Sequence, residues 1–338
     1  MTSQAGQRKK PDRILVVSLD NLGDLVFTSA LLPPIREKFP SAHIAVWCKE
    51  YAAGLGPLLP EVDSVYSADP FWDRSPGSEK GSHWRFLEVA RSIRRARFDT
   101  ALLCFAPWRT AAAIAATGIP VRIGLERRRN RRWLTETLSP EDRKKPVLVE
   151  AARLLGPLGI TVGPLRYRLD TSRSSGLLAD VGRSLGAGTY VALHPFAGSE
   201  ARCVAASEWL EIAGELSRRG ISVLWIGTSP ELERIRRIAK PAATWRYSDT
   251  LFDGLLTKTA LAIATCKLFI GHDSGPLHIA SALGVPTVGV FAPGEPKRTH
   301  PQGTAPSRII ARASPSEVSA SDILREARAL DVLPWAEG

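Results

Sequence analysis

The sequence predicts an α/β protein built from two Rossmann-like domains, each a doubly wound parallel sheet, facing each other across a cleft. Three observations predict it. Short apolar runs alternate with amphipathic helical stretches through the first half of the chain. The pattern weakens between about Gly156 and Gly188, then restarts and continues to the end. The length, 338 residues, suits two domains, and 44% hydrophobic residues suffice for their cores.

In the first half, residues 13–19 form an apolar strand, and Asp20-Asn-Leu-Gly-Asp24 a tight turn. Residues 25–39 are helical in pattern, but Pro33-Pro34 must bend or interrupt that helix. Strands follow at 43–47 and 62–66. Residues 84–97 make an amphipathic helix carrying Arg91, Arg94, Arg95 and Arg97. A strand at 99–105, a small-residue helix at 110–117 and a short strand at 121–124 complete this half. The boundary is placed between residues 170 and 171, giving domains 1–170 and 171–338.

In the second half, 190–194 and 222–226 read as strands, and 207–219, 231–239 and 257–264 as helices. Residues 268–291 then read as strand, turn, helix, turn, strand. Pro276 suits the first turn of that helix, where its missing N–H costs nothing, and Gly284 suits its end. Asp273, Ser274 and Gly275 form the turn before it. A small-residue turn feeding a helix presents free N–H groups and the positive end of the helix dipole, which makes an anion site. Asp273 or Ser274 acting only as a helix cap is the alternative. The last helical stretch, 321–330, is expected to pack back on the first domain.

Lys plus Arg number 45 against 34 for Asp plus Glu, a net charge of +11, which favours an anionic partner. Cys48, Cys104, Cys203 and Cys266 have no metal-binding or CxxC spacing and suit buried thiols in a reducing compartment. No apolar run approaches a membrane span, and residues 1–10 are a polar, basic leader without the apolar core of a signal peptide. A cytoplasmic protein follows, with any contact to the inner face of the membrane being peripheral. An NAD-type oxidoreductase is the main rival, yet no GxGxxG follows a strand. A nucleic-acid binder lacks any helix-turn-helix, zinc or RNA-recognition signature, so nucleic acid is not an expected partner. A non-catalytic protein that binds anionic ligands is the remaining alternative.

The opening Arg13-Ile-Leu-Val-Val-Ser-Leu-Asp-Asn-Leu-Gly-Asp24, then His194-Pro-Phe-Ala-Gly198, Trp225-Ile-Gly227 with Glu231, Asp273-Ser-Gly-Pro-Leu-His278 and Gly294-Glu-Pro-Lys297 occur in that order. This ordered set resembles family 9 glycosyltransferases, the heptosyltransferases of lipopolysaccharide synthesis, over nearly the whole chain. The resemblance implies a GT-B fold, with acceptor bound mainly by the first domain and nucleotide sugar by the second. It implies inverting transfer, without a cofactor, of a heptose or related sugar from an ADP-linked donor to a hydroxyl of a glycan acceptor such as lipopolysaccharide core. It also makes Asp24 the catalytic base, with Asp20 the rival carboxylate in the same loop. On position alone, Asp24 serves equally well as a helix cap.

Inverting transfer needs a base for the acceptor hydroxyl and charge stabilisation on the departing diphosphate. No Asp-X-Asp pair occurs in the chain, so no metal site is expected. The substitutes are the Ser274 and Gly275 amides, the turn of Phe196, Ala197, Gly198 and Ser199, and Arg202. Arg202 stands where the family often has the Lys of a Lys-X-Trp-Pro motif; here the run is Arg202-Cys-Val-Ala205. Glu231, just past a strand end, is a candidate for ribose hydroxyls, or a solvated acid in a first helical turn. Asp273 and His278 are assigned to the donor, with helix packing as the alternative for His278.

The run Arg122 to Trp133 holds six arginines and one acid, Glu126. Like charges packed this densely repel, so the loop is expected to be mobile until an anion fills it. Arg127, Arg128, Arg129, Arg131 and Arg132 are assigned to phosphate or carboxylate groups of an anionic glycolipid acceptor. A solvated basic loop is the alternative.

Overall fold

A computed structural model describes residues 10–73, 80–105, 107–139, 144–239, 241–249 and 254–335. The polar leader, apart from Lys10, lies outside the described residues. The first sheet holds β1 (Arg13–Ser18), β2 (His43–Cys48), β3 (Ser64–Ser67), β4 (Thr100–Leu103), β5 (Val121–Leu125) and β6 (Glu136–Leu138). The second holds β7 (Tyr190–His194), β8 (Ser222–Trp225), β9 (Trp245–Tyr247), β10 (Leu268–His272), β11 (Thr287–Phe291) and β12 (Ser307–Ala311). The orders are β3-β2-β1-β4-β5-β6 and β12-β11-β10-β7-β8-β9, and the pairings are parallel. Counted within its own sheet, each domain runs 3-2-1-4-5-6, the doubly wound order with a switch point at its centre. The two domains of the expected fold are present, and the pairs β1/β4 and β7/β10 flank the switch points.

Strand alternation explains why these runs are apolar throughout. In β1, Ile14 and Val16 face a core shared by the two domains, while Leu15 and Val17 face an outer layer. In β7, Tyr190 and Ala192 face the shared core, and Val191 and Leu193 the opposite side. A strand buried on both faces has no polar period to show.

The helices are α1 (Leu22–Thr28), α2 (Leu32–Lys38), α3 (His83–Ala96), α4 (Trp108–Ala116), α5 (Val147–Ala152), α6 (Ser175–Leu185), α7 (Ala206–Arg218), α8 (Ser229–Ile238), α9 (Leu256–Thr265), α10 (Gly275–Ala282), α11 (Pro296–Thr299) and α12 (Ala320–Arg328). The two prolines do interrupt the helix after β1. It passes through a 3₁₀ turn at Ser29–Leu31, and α2 restarts with the prolines in its first turn, where their missing N–H groups cost no bond.

Helix α1 packs directly on α10, and two glycines permit the approach. A Cβ at Gly275 would come within 2.9 Å of Leu22, and one at Gly23 within 3.3 Å of His278. The segment joining the domains is tied to both: Arg168 N donates to Ser29 Oγ (3.3 Å), Leu169 N to Ala282 O (2.9 Å), and Arg166 Nη1 to Gly303 O (2.7 Å).

The last helix corrects an expectation. It does not pack back on the first domain. Ala320, Ile323, Leu324 and Ala327 of α12 enter the outer core of the second domain, beside Trp209, Ile212 and Leu216 of α7. Ala320 N donates to Glu208 Oε2 (2.7 Å) and locks the helix start. The reason is local: β12 is the edge strand of the second sheet, so the chain leaving it meets that sheet's own uncovered apolar face first.

Candidate active site

The β1–α1 turn begins the site. Asn21 caps α1, and its N–H donates to Asp24 Oδ2 (3.1 Å), so Asp24 closes a capping box as the third helical residue. Thr28 Oγ1 donates to Asp24 O (2.8 Å) and lies 3.2 Å from Ser18 Oγ. The cap does not exhaust the carboxylate. Asp24 also lines a cleft of about 860 Å³ between the domains. Burial, reinforced by the like charge of Asp20, pushes its carboxyl up to about 7. Asp20 is raised as well, chiefly by burial, and partly restrained by Lys49. Lys49 is 2% exposed, and its Nζ lies 2.7 Å from Asp73 Oδ2, so its positive charge is shared. A carboxyl that titrates near neutral pH suits proton abstraction.

The same cleft receives Arg127 and Arg128 from the loop after β5, Glu150 from α5, and Glu295, Arg298 and Thr299 from the second domain. The structure thus brings Asp24, Arg127 and Arg128 together. Arg129, Arg131 and Arg132 do not line this cleft; they bound a shallow hollow on the outer surface. The loop has ties of its own to the rest of the first domain. Buried Asn130 anchors it, accepting Arg127 N–H (2.9 Å) and donating to Leu125 O (2.9 Å). Arg122 donates to Trp133 O (2.7 Å) and Ile119 O (2.5 Å). Arg127 finds an acid that no local reading could supply, with Nη2 3.9 Å from Glu150 Oε1, and its guanidinium lies 4.6 Å from the centre of the Phe105 ring.

The second cluster surrounds the β10–α10 turn. Arg202 Nη2 lies 3.1 Å from Asp273 Oδ2, and its Nε donates to Pro293 O (3.2 Å). Thr299 Oγ1 donates to both carboxylate oxygens of Asp273 at 3.4 Å. His278 Nε2 is 3.6 Å from Asp273 Oδ1, and its Nδ1 is 3.2 Å from Tyr167 OH. The His278 ring is buried against Phe27, centroids 4.7 Å apart, so it also packs α10 on α1. Ser274 is the cap residue of α10, and Gly275 begins the helix, so their amides stand in the first turn without intrahelical acceptors. Thr299 links the clusters, touching Asp273 while lining the cleft that holds Asp24.

The remaining candidates lie at the carboxyl ends of β7 and β8. Phe196 is a buried core residue beside His194 (5.7 Å), whereas Ala197, Gly198 and Ser199 form the more open part of the loop. Glu231 closes a capping box of its own, accepting Thr228 N–H and Oγ1–H at 2.8 Å each. Two buried histidines end β7 and β10 side by side. Burial lowers the proton affinity of His194, and brings His272 down to about 3 with help from His194. His194 Nδ1 lies 2.9 Å from Ile226 O, and His272 Nε2 accepts Val204 N–H (3.2 Å); both rings hold their loops in place.

Sequence reasoning did not name Glu150, Arg298, Thr299, Lys49 or Tyr167. Arg298 directly follows the Gly294-Glu-Pro-Lys297 run, so that motif could have drawn attention to it. Glu150 and Lys49 carry no local signal. Among the described residues, no three His, Cys, Asp or Glu side chains gather as a metal site, and no helix is long and apolar enough to cross a membrane.

Residues 86–323 match the family model for glycosyltransferase family 9 (heptosyltransferase). Lipopolysaccharide heptosyltransferase 2 of Escherichia coli is 24% identical over 310 residues, covering 86% of this chain and 85% of that protein. The lipopolysaccharide core heptosyltransferase OpsX of Haemophilus influenzae is 23% identical over 305 residues, covering 86% of this chain and 82% of that one. The crystal structure of a family 9 glycosyl transferase from Veillonella parvula superposes with a TM-score of 0.80 at 18% identity, covering 94% and 97% of the two chains. Escherichia coli heptosyltransferase WaaC with ADP gives 0.78 at 17% identity, covering 94% and 99%. The structural likeness establishes the two-domain GT-B fold. Because the family model spans well over half of its length, the chain belongs to glycosyltransferase family 9 and is a glycosyltransferase.

Proposed function

We propose that this enzyme transfers a heptose, or a closely related sugar, from an ADP-linked donor to a hydroxyl of an anionic glycan acceptor such as lipopolysaccharide core. The observation that carries the chemistry is Asp24: a carboxyl titrating near 7, on a helix start, in the cleft between the domains. Asp24 removes the acceptor hydroxyl proton as that oxygen attacks the anomeric carbon. The bond from that carbon to the diphosphate breaks, and ADP leaves with inverted configuration at the sugar. Arg202 and the Ser274 and Gly275 amides receive the charge that develops on the diphosphate. Phe196, Ala197, Gly198, Ser199, Glu231, Asp273 and His278 shape or hold the donor side. The absence of an Asp-X-Asp pair supports transfer without a metal.

The names of the relatives support the sugar and the acceptor, since several are lipopolysaccharide heptosyltransferases. One structural neighbour is described with ADP-2-deoxy-2-fluoro heptose, which supports the donor class. The acceptor side is read as Arg127 and Arg128 in the cleft, with Arg129, Arg131 and Arg132 outside it attracting the same anionic molecule. Helix α3 supports contact with the inner face of a membrane. Trp84 is 77% exposed and Leu87 40%, and exposed Arg91, Arg94 and Arg95 follow on the same helix. The deciding experiment is transfer of labelled heptose from ADP-heptose to a lipid-linked core acceptor. Absence of transfer, with transfer from another sugar nucleotide in its place, would overturn the donor assignment.

A further inference from the structure

The segment joining the domains supplies a side chain to which the transfer chemistry gives no task. Tyr167 is fully buried, and its ring meets Phe27 of α1 edge to face, centroids 5.4 Å apart. The residues on either side pin it, Arg166 to Gly303 O and Arg168 to Ser29 Oγ. Its hydroxyl oxygen lies 3.2 Å from His278 Nδ1 and accepts the Gln302 N–H at 2.8 Å. The Ser281 side chain adds a further hydrogen bond to it. Ser281 Oγ itself accepts the Gly303 N–H (3.0 Å), which leaves its own hydrogen for Tyr167. This close approach requires glycine at 303, because a Cβ there would fall 1.9 Å from Ser281 O.

These contacts decide where the hydrogens are. A tyrosine hydroxyl has one hydrogen to give and lone pairs to offer. Gln302 and Ser281 occupy the lone pairs, so the hydrogen is left for His278 Nδ1. Burial pushes the Tyr167 hydroxyl up to about 12, so it holds that hydrogen across the neutral range. Nδ1 is therefore the acceptor nitrogen of the ring, and Nε2 carries the hydrogen. Nε2 faces Asp273 Oδ1 at 3.6 Å. The opposite tautomer would aim a nitrogen lone pair at that carboxylate, setting two acceptors against each other. Asp273 in turn holds Arg202 Nη2 at 3.1 Å.

We propose that Tyr167 is a positioning residue for the donor site: its O–H fixes His278 as the Nε2–H tautomer, so that the ring braces Asp273, and through it Arg202, for the diphosphate of the donor. The proposal rests on the reading that Asp273 and Arg202 serve the donor. It adds that the brace begins in the segment between the domains, 111 positions before His278 in the chain. Tyr167 acts through His278 and touches no substrate itself.

Nitrogen NMR of the full-length protein with isotope-labelled histidine reads the tautomer directly, the His278 signals being identified by their loss in His278→Gln. The expected result is a single form with hydrogen on Nε2 in the wild type, and a mixture of tautomers in Tyr167→Phe, which keeps the ring and removes the hydroxyl. Calorimetry with ADP reads the consequence. Tyr167→Phe should weaken ADP binding about fivefold. Glutamine places an amide N–H where Nε2 stands and asparagine places one where Nδ1 stands, so His278→Gln should weaken ADP binding less than His278→Asn does. In the His278→Gln background no tautomer is left to fix, so adding Tyr167→Phe should change ADP affinity by less than about twofold. Hydrogen on Nδ1 in the wild type, or an unchanged tautomer in Tyr167→Phe, would overturn the assignment. So would unchanged ADP affinity in Tyr167→Phe, or a loss equally large in the His278→Gln background, which marks a packing role alone. If Tyr167→Phe fails to fold, the wild-type tautomer and the contrast between His278→Gln and His278→Asn still decide. A wild-type protein that shows the Nε2–H form but does not bind ADP would overturn the proposed donor and leave the tautomer assignment standing.

Discussion

Two turns of this enzyme share one local design and differ in what surrounds it. Asp24 sits in the first turn of α1, and Asp273 stands just before α10. Each is a carboxylate at a helix start, where the helix dipole favours negative charge. Asp273 is compensated from three directions, by Arg202 at 3.1 Å, Thr299 at 3.4 Å and His278 at 3.6 Å. Asp24 is supported by the backbone N–H groups of Asn21 and of Asp24 itself and, more weakly, by Lys49, but burial and Asp20 outweigh them. Its carboxyl accordingly rises to about 7, well above the ordinary carboxylate range, despite the dipole. A carboxylate at a helix start is thus not a role in itself. Asp273 is tied to Arg202, Thr299 and His278, whereas burial and a like charge favour the protonated form of Asp24.

The comparison breaks most readily at Asp24. Asp24→Asn should lower the transfer rate by about two to four orders of magnitude while ADP affinity stays at the wild-type level. Single-turnover transfer and calorimetry with ADP check the two halves of that statement. Near-normal turnover would remove Asp24 as the base and bring Asp20 under test.

The compensated turn should respond in affinity instead. Arg202→Ala is expected to weaken ADP binding by about 1–3 kcal/mol. Asp273→Asn frees Arg202 from its partner, so it should weaken ADP binding less than Arg202→Ala does. Equal losses in the two variants would mean that Arg202 acts only by holding Asp273.

A third effect separates the arginines. Arg128→Ser should raise the acceptor KM several-fold, since Arg128 lines the cleft. The double variant Arg129→Ser, Arg131→Ser should mainly flatten the salt dependence of KM, because exposed charges act through a screened field. Acceptor titrations at low and high salt distinguish the two behaviours.

The pH profile sharpens the contrast further. Asp24 works ionised, so kcat/KM should rise with pH through about 7 and then level off. Asp20→Asn removes the like charge and should move that limb to lower pH by on the order of one unit. Stability carries the opposite sign. The unfolded Asp24 loses its proton above about 4 while the folded one keeps it to about 7, so its contribution falls as pH rises between those values. Asp24→Asn should therefore melt higher than wild type at pH 8, with the difference vanishing near pH 4. The smallest expected effect is that of excess EDTA, which should leave transfer unchanged; loss restored by Mg²⁺ would revise how the diphosphate is neutralised.

Central strands were readable because both faces are buried, as in β1, β7 and β10, whose residues are almost wholly apolar. The strands that escaped prediction, β6, β9 and β12, are edge strands with polar or charged residues such as Glu136, Arg246 and Arg308. An edge strand buries less, so its pairing depends on the neighbour already in place. Helix α5 is only six residues long, too short for an apolar period to show.

Asp24 was within reach of the chain's local chemistry because a strand end, a glycine turn and a helix start lie within a few residues. The anion turn at Asp273 was readable for the same reason. Local chemistry could not tell the two carboxylates apart, nor pair Arg127 with Glu150 and Glu150 with Arg298, partners 148 residues apart in the last case. Propensity, periodicity and capping act over a few residues, and they wrote the strands, the helices and their turns. Proton affinity and ion pairing depend on burial and on charges brought together by packing, and these exist only once the two sheets have met.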